Sequence, residues 1–212
     1  MTSSPDPAAG SGGARSAGSA PFPAPLRRPD PEVALEYATR IFVSGERLDM
    51  QTLAAALGVG RTTLYRWVGG REEVLGDVLA SLSREVWAGC QAHATGEGVE
   101  RALDTFRRFM DHPSQFPALR DIARREPALA LKLLMQPDGP VAESLRDGVA
   151  AALRETLPDQ HDRISDEIVD ILVQVGTALE WAPVIIGDPP PLDRAMRLVR
   201  ALLEVTLRDS AG

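Results

Sequence analysis

The sequence predicts an all-α protein with a small helical head and a larger helical body. Three observations carry this. Apolar residues recur at i, i+3, i+4 spacing from about residue 33 to 207. No segment alternates apolar and polar residues as a half-buried strand would. Glycines and prolines cut the pattern into helix-sized pieces. With 44% hydrophobic and 25% charged residues among 212, the composition is that of an ordinary globular protein.

Residues 1–30 are dominated by Ala, Gly, Ser and Pro, with too few apolar side chains to offset the entropy of ordering them, so this segment reads as a disordered tail. A flexible arm touching DNA is the alternative, but Arg15, Arg27 and Arg28 are too few to favour it. Asp30 and Pro31 suit the start of a first helix, with Val33, Leu35, Ala38, Ile41 and Phe42 inward, ending near Ser44 and Gly45. Asp49 caps a short second helix through Leu57, which Gly58 stops. A third short helix covers 61–68. Gly69 and Gly70 end it, and Arg71 opens a long fourth helix whose first turn carries Glu72 and Glu73, acids suited to the positive end of the dipole. Residues 31–92 thus form one helical unit, and about five more helices are expected over 93–212.

The second and third helices have the makings of a helix-turn-helix. Ala54, Ala55 and Ala56 permit close approach, Gly58 makes the turn, and Val59 and Leu64 plug the gap. The third helix then projects Arg61, Thr62, Thr63 and Arg66 toward a major groove, where a guanidinium can bond guanine bidentately and a threonine methyl can pack on thymine. Tyr65, Trp67 and Arg71 are placed to clamp phosphates, and Gln51 and Thr52 are weaker contact candidates. The lesser alternative makes Tyr65 and Trp67 partly buried core aromatics, and Arg61 and Arg66 solvated charges. Two features favour DNA: Arg61, Arg66 and Arg71 fall within 60–71, and no acid does.

The segment LDMQTLAAALGVGRTTLYRWVGGREEVL resembles the DNA-binding signature of the TetR family of regulators. Leu53-Ala54, Leu57-Gly58-Val59, Thr63-Leu64-Tyr65 and Arg71-Glu72-Glu73 fall in register with it. Gly60 departs from the family's usual serine, removing a side-chain cap, and Val68-Gly69 replaces a common Phe-Pro pair. The stretch FRRFMDHPSQFPALRDIARREPALALKLLM and the ending EWAPVIIGDPPPLDRAMRLVRALLEVTL are similar to the QsdR-like branch of that family. The resemblance implies a double-stranded operator as partner, a homodimer, and a second domain that binds a small-molecule effector and dimerises.

The residues support that second domain independently. Between 168 and 182 apolar side chains occupy more than one helix face, so the helix must be covered on several sides. The last helix, about 192–207, carries Ala195, Leu198, Val199, Leu202 and Leu203. Pairing these last two helices with their copies would form a four-helix dimer interface; the alternative is burial within one chain. Gln174, Thr177, Glu180 and Trp181 interrupt the apolar field, as an orienting small-molecule site requires. Phe106, Phe109, Met110, Phe116, Leu133 and Met135 are candidate walls, or simply core. Glu180 also reads as an ordinary surface acid.

Thirty acids against 23 bases give a net charge of −7, which argues against nucleic acid unless charge is segregated, as it is at 60–71. Scattered His93, His112 and His161 and a lone Cys90 fit no catalytic or metal-ligand spacing, so neither an enzyme nor a cofactor is expected. No apolar run approaches the roughly 18 to 20 residues of a membrane span, and a single cysteine fits a cytoplasmic protein. The expected function is a DNA-binding regulator, a repressor released by an apolar or amphipathic effector. The rival is a protein-interaction module using the helix-turn-helix as scaffold.

Overall fold

Helix α1 (Pro31–Val43) begins where Asp30, in extended backbone, accepts the Val33 N–H at 2.8 Å. The same device opens α2 (Met50–Leu57), where Asp49 accepts from Thr52 at 2.7 Å; that hydrogen bond holds the Asp49 carboxyl below its usual range. The computed structural model describes residues 22, 27–112 and 117–209. Within them the chain continues through α3 (Arg61–Val68), α4 (Arg71–His93), α5 (Gly98–Asp111), α6 (Pro117–Arg125), α7 (Pro127–Met135), α8 (Pro140–Thr156), α9 (Asp166–Ile186) and α10 (Leu192–Asp209), with a short 3-10 turn at Pro158–Arg163. Six helices therefore follow α4 rather than about five. The difference arises at Glu126-Pro127, which splits one apolar stretch into α6 and α7 by capping and restarting the helix.

The turn between α2 and α3 rests on Gly58, whose φ of 67° is left-handed, a region that favours glycine. Its neighbour Val59 donates to the Ala54 carbonyl at 3.1 Å, closing the end of α2. Gly60, as the sequence implies, caps α3 without a side-chain bond. At the start of α4, Glu73 reaches back to accept the Gly70 N–H at 3.1 Å.

Two apolar cores are strung along α4. The first gathers Tyr37, Ile41, Leu53 and Leu64 of the head with Val74, Leu75 and Val78 of α4, and continues into Leu119, Leu133 and Leu134 of α6 and α7. The second surrounds Trp87 with Phe106, Phe109, Leu153, Val199 and Leu203 from α5, α8 and α10. Thus α4 contributes to both cores. Its approach to α8 requires Gly148, where an added Cβ would stand 2.4 Å from the Trp87 ring atoms.

Part of the supposed tail is packed. Phe22 meets Tyr37 edge to face at 6.1 Å and accepts the Tyr37 hydroxyl at 2.6 Å, and Arg27 pairs with Glu32 at 3.0 Å. Residues 1–21 and 23–26 of that segment lie outside the described residues. Helix α9 is by length and composition alone apolar enough to cross a membrane, a test that core helices of soluble proteins also pass. Reading for unbroken apolar runs missed it, because Gln174, Thr177 and Glu180 interrupt a helix whose average is still apolar.

Candidate DNA-binding face and effector pocket

Leu64 anchors α3, fully buried against the head core, which turns the opposite side of the helix outward. Arg61, Thr62, Tyr65 and Arg66 are exposed on that side, with Thr63 and Trp67 half-buried at its edges. Tyr65 is 49% exposed, too open for a core aromatic. Among the described residues no hydrogen bond or ion pair engages the Arg61 or Arg66 guanidinium. On α2, Gln51 is exposed, while Thr52 is half-buried with its N–H committed to Asp49.

Arg71 is placed differently from the sequence expectation. Its Nη1 and Nη2 donate to the two carboxylate oxygens of Glu126 at 2.7 and 2.9 Å, and its Nε donates to the Leu48 carbonyl at 3.1 Å. Three of the five guanidinium N–H donors are thus committed within the protein, so Arg71 ties the head to the body. The Arg71 guanidinium in turn holds the Glu126 carboxyl below its usual range. Nothing in the sequence signalled Glu126 as partner, since it lies 55 positions away.

In the body, two apolar lobes of about 50 and 70 Å³ meet at Phe109, Leu145, Thr177 and Glu180, which line both. Phe106 and Met110 wall the first lobe and Trp181 the second, so five of the expected pocket residues share this region. Two do not. Gln174 is exposed on the far side of α9, and Leu133 is packed in the first core near Gly76. Met135 is 44% exposed, and Phe116 lies outside the described residues. Glu180 is no surface acid. It is 5% exposed, and burial pushes its carboxyl well above the usual range. Sequence reasoning missed Ser83 and Trp87, which stand one turn apart on α4 and line the second and first lobes respectively. Their i, i+4 spacing on the inner face of a buried helix was the available signal. Trp87 stacks on Phe109 at 4.1 Å, with 13° between the planes.

A helix-turn-helix head with an unpaired basic face, carried on a helical body by one long helix, defines a DNA-binding transcription regulator. Comparison with known proteins makes this specific. Residues 97–204 match the family described as Tetracyclin repressor-like, C-terminal domain. The chain is similar to the transcriptional repressor QsdR of R. erythropolis, from the TetR family, at 32% identity, covering 82% of this chain and 94% of that one with a TM-score of 0.76. The TetR family repressor AlkX from Dietzia sp. strain DQ12-45-1b, implicated in biodegradation of n-alkanes, shares the fold at 18% identity and TM-score 0.60, covering 85% of this chain and 97% of that one. No curated protein matches the sequence significantly. This chain belongs to the TetR family of transcriptional regulators. It is a DNA-binding protein and not an enzyme.

Proposed function

We propose that the protein is a homodimeric repressor that reads a palindromic operator through α3 and leaves it when a small apolar or amphipathic effector occupies the body. The observation that carries this reading is the face of α3, where Arg61, Thr62 and Arg66 stand exposed and unpaired over a fully buried Leu64. In this reading Arg61 and Arg66 contact guanine or phosphate, Thr62 and Thr63 read base edges, and Tyr65, Trp67, Gln51 and Thr52 fix the register. Arg71 holds the head to the body instead. Residues 31–92 act as the head and 93–212 as the effector-binding and dimerising part, working in the cytoplasm.

Dimerisation through α9 and α10 is supported by what these helices leave uncovered. Ile171, Val175, Ala178, Ala182 and Ile186 form a stripe along α9 that the chain only partly buries, and Ile186 is 76% exposed. On α10, Leu198 and Val205 are 43% and 50% exposed. Apolar stripes on adjacent helices suit an isologous four-helix contact. Two heads fixed about 34 to 36 Å apart, or a multiple of that, then address successive turns of one duplex. An effector that prefers one setting of α4 changes that separation and lowers operator affinity.

The test is affinity for the DNA upstream of the protein's own coding sequence, measured across a salt series. Tight binding that weakens steeply with salt, and collapses in the double variant Arg61→Ala/Arg66→Ala, is the expected result. Weak, sequence-blind binding with a flat salt response would instead favour a protein-interaction module.

A further inference from the structure

The body pocket contains polar atoms that the described residues do not satisfy. Among those residues, Glu180 Oε1, Ser83 Oγ and Trp87 Nε1 are buried without a hydrogen-bond partner. All three side chains line the paired lobes: Trp87 the first, Ser83 the second, and Glu180 both. Buried polar groups in folded proteins are nearly always paired, so three orphans around one cavity call for an explanation.

The types of these atoms restrict what would complete them. An indole N–H only donates, a hydroxyl donates or accepts, and a carboxyl kept protonated by burial donates as well. Among the described residues no lysine or arginine lines either lobe, and the titratable side chains there are Glu180 and His112. A carboxylate or phosphate ligand would therefore be desolvated without a guanidinium or ammonium to pair with. An ammonium would find a partner in Glu180 only by forcing that carboxyl to ionise in an apolar wall, and it would leave the Trp87 N–H unmatched. A carbonyl oxygen offers two acceptor lone pairs, and the second oxygen of an ester or the nitrogen of an amide reaches a third group. Apolar arms on either side of it would enter the two lobes.

We infer that the effector is a compact, neutral, carbonyl-bearing molecule, of the ester or amide class, whose carbonyl oxygen is held by two of Glu180, Ser83 and Trp87 and whose second heteroatom meets the third. This rests on the reading of the body as an effector domain and narrows it to a ligand class. Because Ser83 and Trp87 belong to α4, such a ligand touches the helix that carries the head.

The experiment titrates the full-length dimer with ethyl butanoate, pentylamine and pentanoate, following binding by calorimetry and release of operator by gel shift. Ethyl butanoate is expected to bind and release, and the other two to do neither at the same concentration. Glu180→Leu should weaken the ester about tenfold or more, whereas Glu180→Gln, which keeps a donor, should stay within a few-fold. Thermal unfolding of ligand-free Glu180→Leu separates binding from structure. Removal of an unpartnered buried polar group should leave its melting temperature unchanged or raised, and a clear fall would mark Glu180 as structural and overturn the inference. Preference for pentylamine, or an ester affinity indifferent to Glu180→Leu, would also overturn it. If none of the three probes binds but a screened compound of another class releases operator, this inference falls and the effector reading stands. If no compound releases operator, both fall.

Discussion

Arg71 and Glu126 form a two-pronged ion pair at 2.7 and 2.9 Å that fastens the first turn of α4 to the junction of α6 and α7. The Leu48 carbonyl receives the third edge of the same guanidinium, so the segment before α2 is drawn into the tie. One side chain thus joins the recognition head, the linking helix and the body.

Replacing Arg71 separates a mechanical role from a phosphate contact. Arg71→Ala should lower stability by about 1 kcal/mol, a figure kept small because both side chains are partly solvated. The slope of log affinity against log salt should stay at the wild-type value. Arg61→Ala or Arg66→Ala should flatten it by close to one unit for a phosphate contact. A flattened slope for Arg71→Ala would restore it to the DNA-contacting set.

The tie also has a pH signature. Hydrogen bonding to Arg71 lowers the Glu126 carboxyl from its ordinary value of 4.5, so the folded state holds the charged form more strongly than the unfolded chain does. Its contribution is complete above that ordinary value and is lost as pH falls through the lowered one. The difference in melting temperature between wild type and Arg71→Ala should therefore be constant from about pH 6 to 8 and shrink below about pH 4.5. A difference that persists unchanged into acid would show that packing of the arginine stem, not the ion pair, is responsible.

The head was legible in the sequence because each of its devices is local. Asp30, Asp49, Gly58 and the Gly69-Gly70 pair act on backbone within four residues of themselves, and they place α1, α2 and α3 as expected. The exposed side of α3 followed from one buried leucine. The body was less legible because its decisive contacts span long separations. Glu126 finds Arg71 across 55 positions, and Glu180 is buried where side chains of α4, α5 and α8 line the same lobes. Helical periodicity locates an inner face but cannot say whether it meets core or cavity, which is why Leu133 and Gln174 were grouped with Phe109 and Thr177.

Gly148 provides a packing test of the pocket wall. A methyl there would meet three Trp87 ring atoms at 2.4 Å, and Trp87 is also held by its stack on Phe109 at 4.1 Å. The ring cannot retreat without breaking that stack, so Gly148→Ala should cost about 1 to 3 kcal/mol despite the better helix propensity of alanine. Gly176→Ala, on α9 with open space around its Cβ position, is the matched control and should be neutral or slightly stabilising. Denaturant midpoints compare the two, and equal effects would mean that α8 shifts freely on α4.

Arg61 and Arg66 are both unpaired, yet they stand at different ends of α3, and their variants should differ in kind. Arg61 opens the helix, the end that recognition helices direct at base edges, so Arg61→Ala should cost about 1 to 3 kcal/mol and relax preference at one operator position. Arg66, in the last turn, should weaken all duplexes alike. Binding to a panel of single-base operator variants distinguishes them. The same loss at every position for Arg61→Ala would move it from base reading to phosphate contact.

The dimer can be broken without disturbing either core, because the stripe on α9 is one that the chain only partly buries. Ala178 sits mid-stripe and is partly exposed in the single chain, so Ala178→Glu leaves a solvated carboxylate in the monomer. In an isologous interface the introduced carboxylate of each copy would be taken out of water against the partner's apolar stripe. The monomer should keep its helical circular dichroism while sedimentation equilibrium shows loss of the dimer. With one head per molecule, operator binding should fall to the non-specific range of about 10⁻⁴ to 10⁻⁶ M near physiological salt. A variant that remains dimeric would place the contact on another surface, and a monomer with undiminished operator affinity would remove the need for two heads.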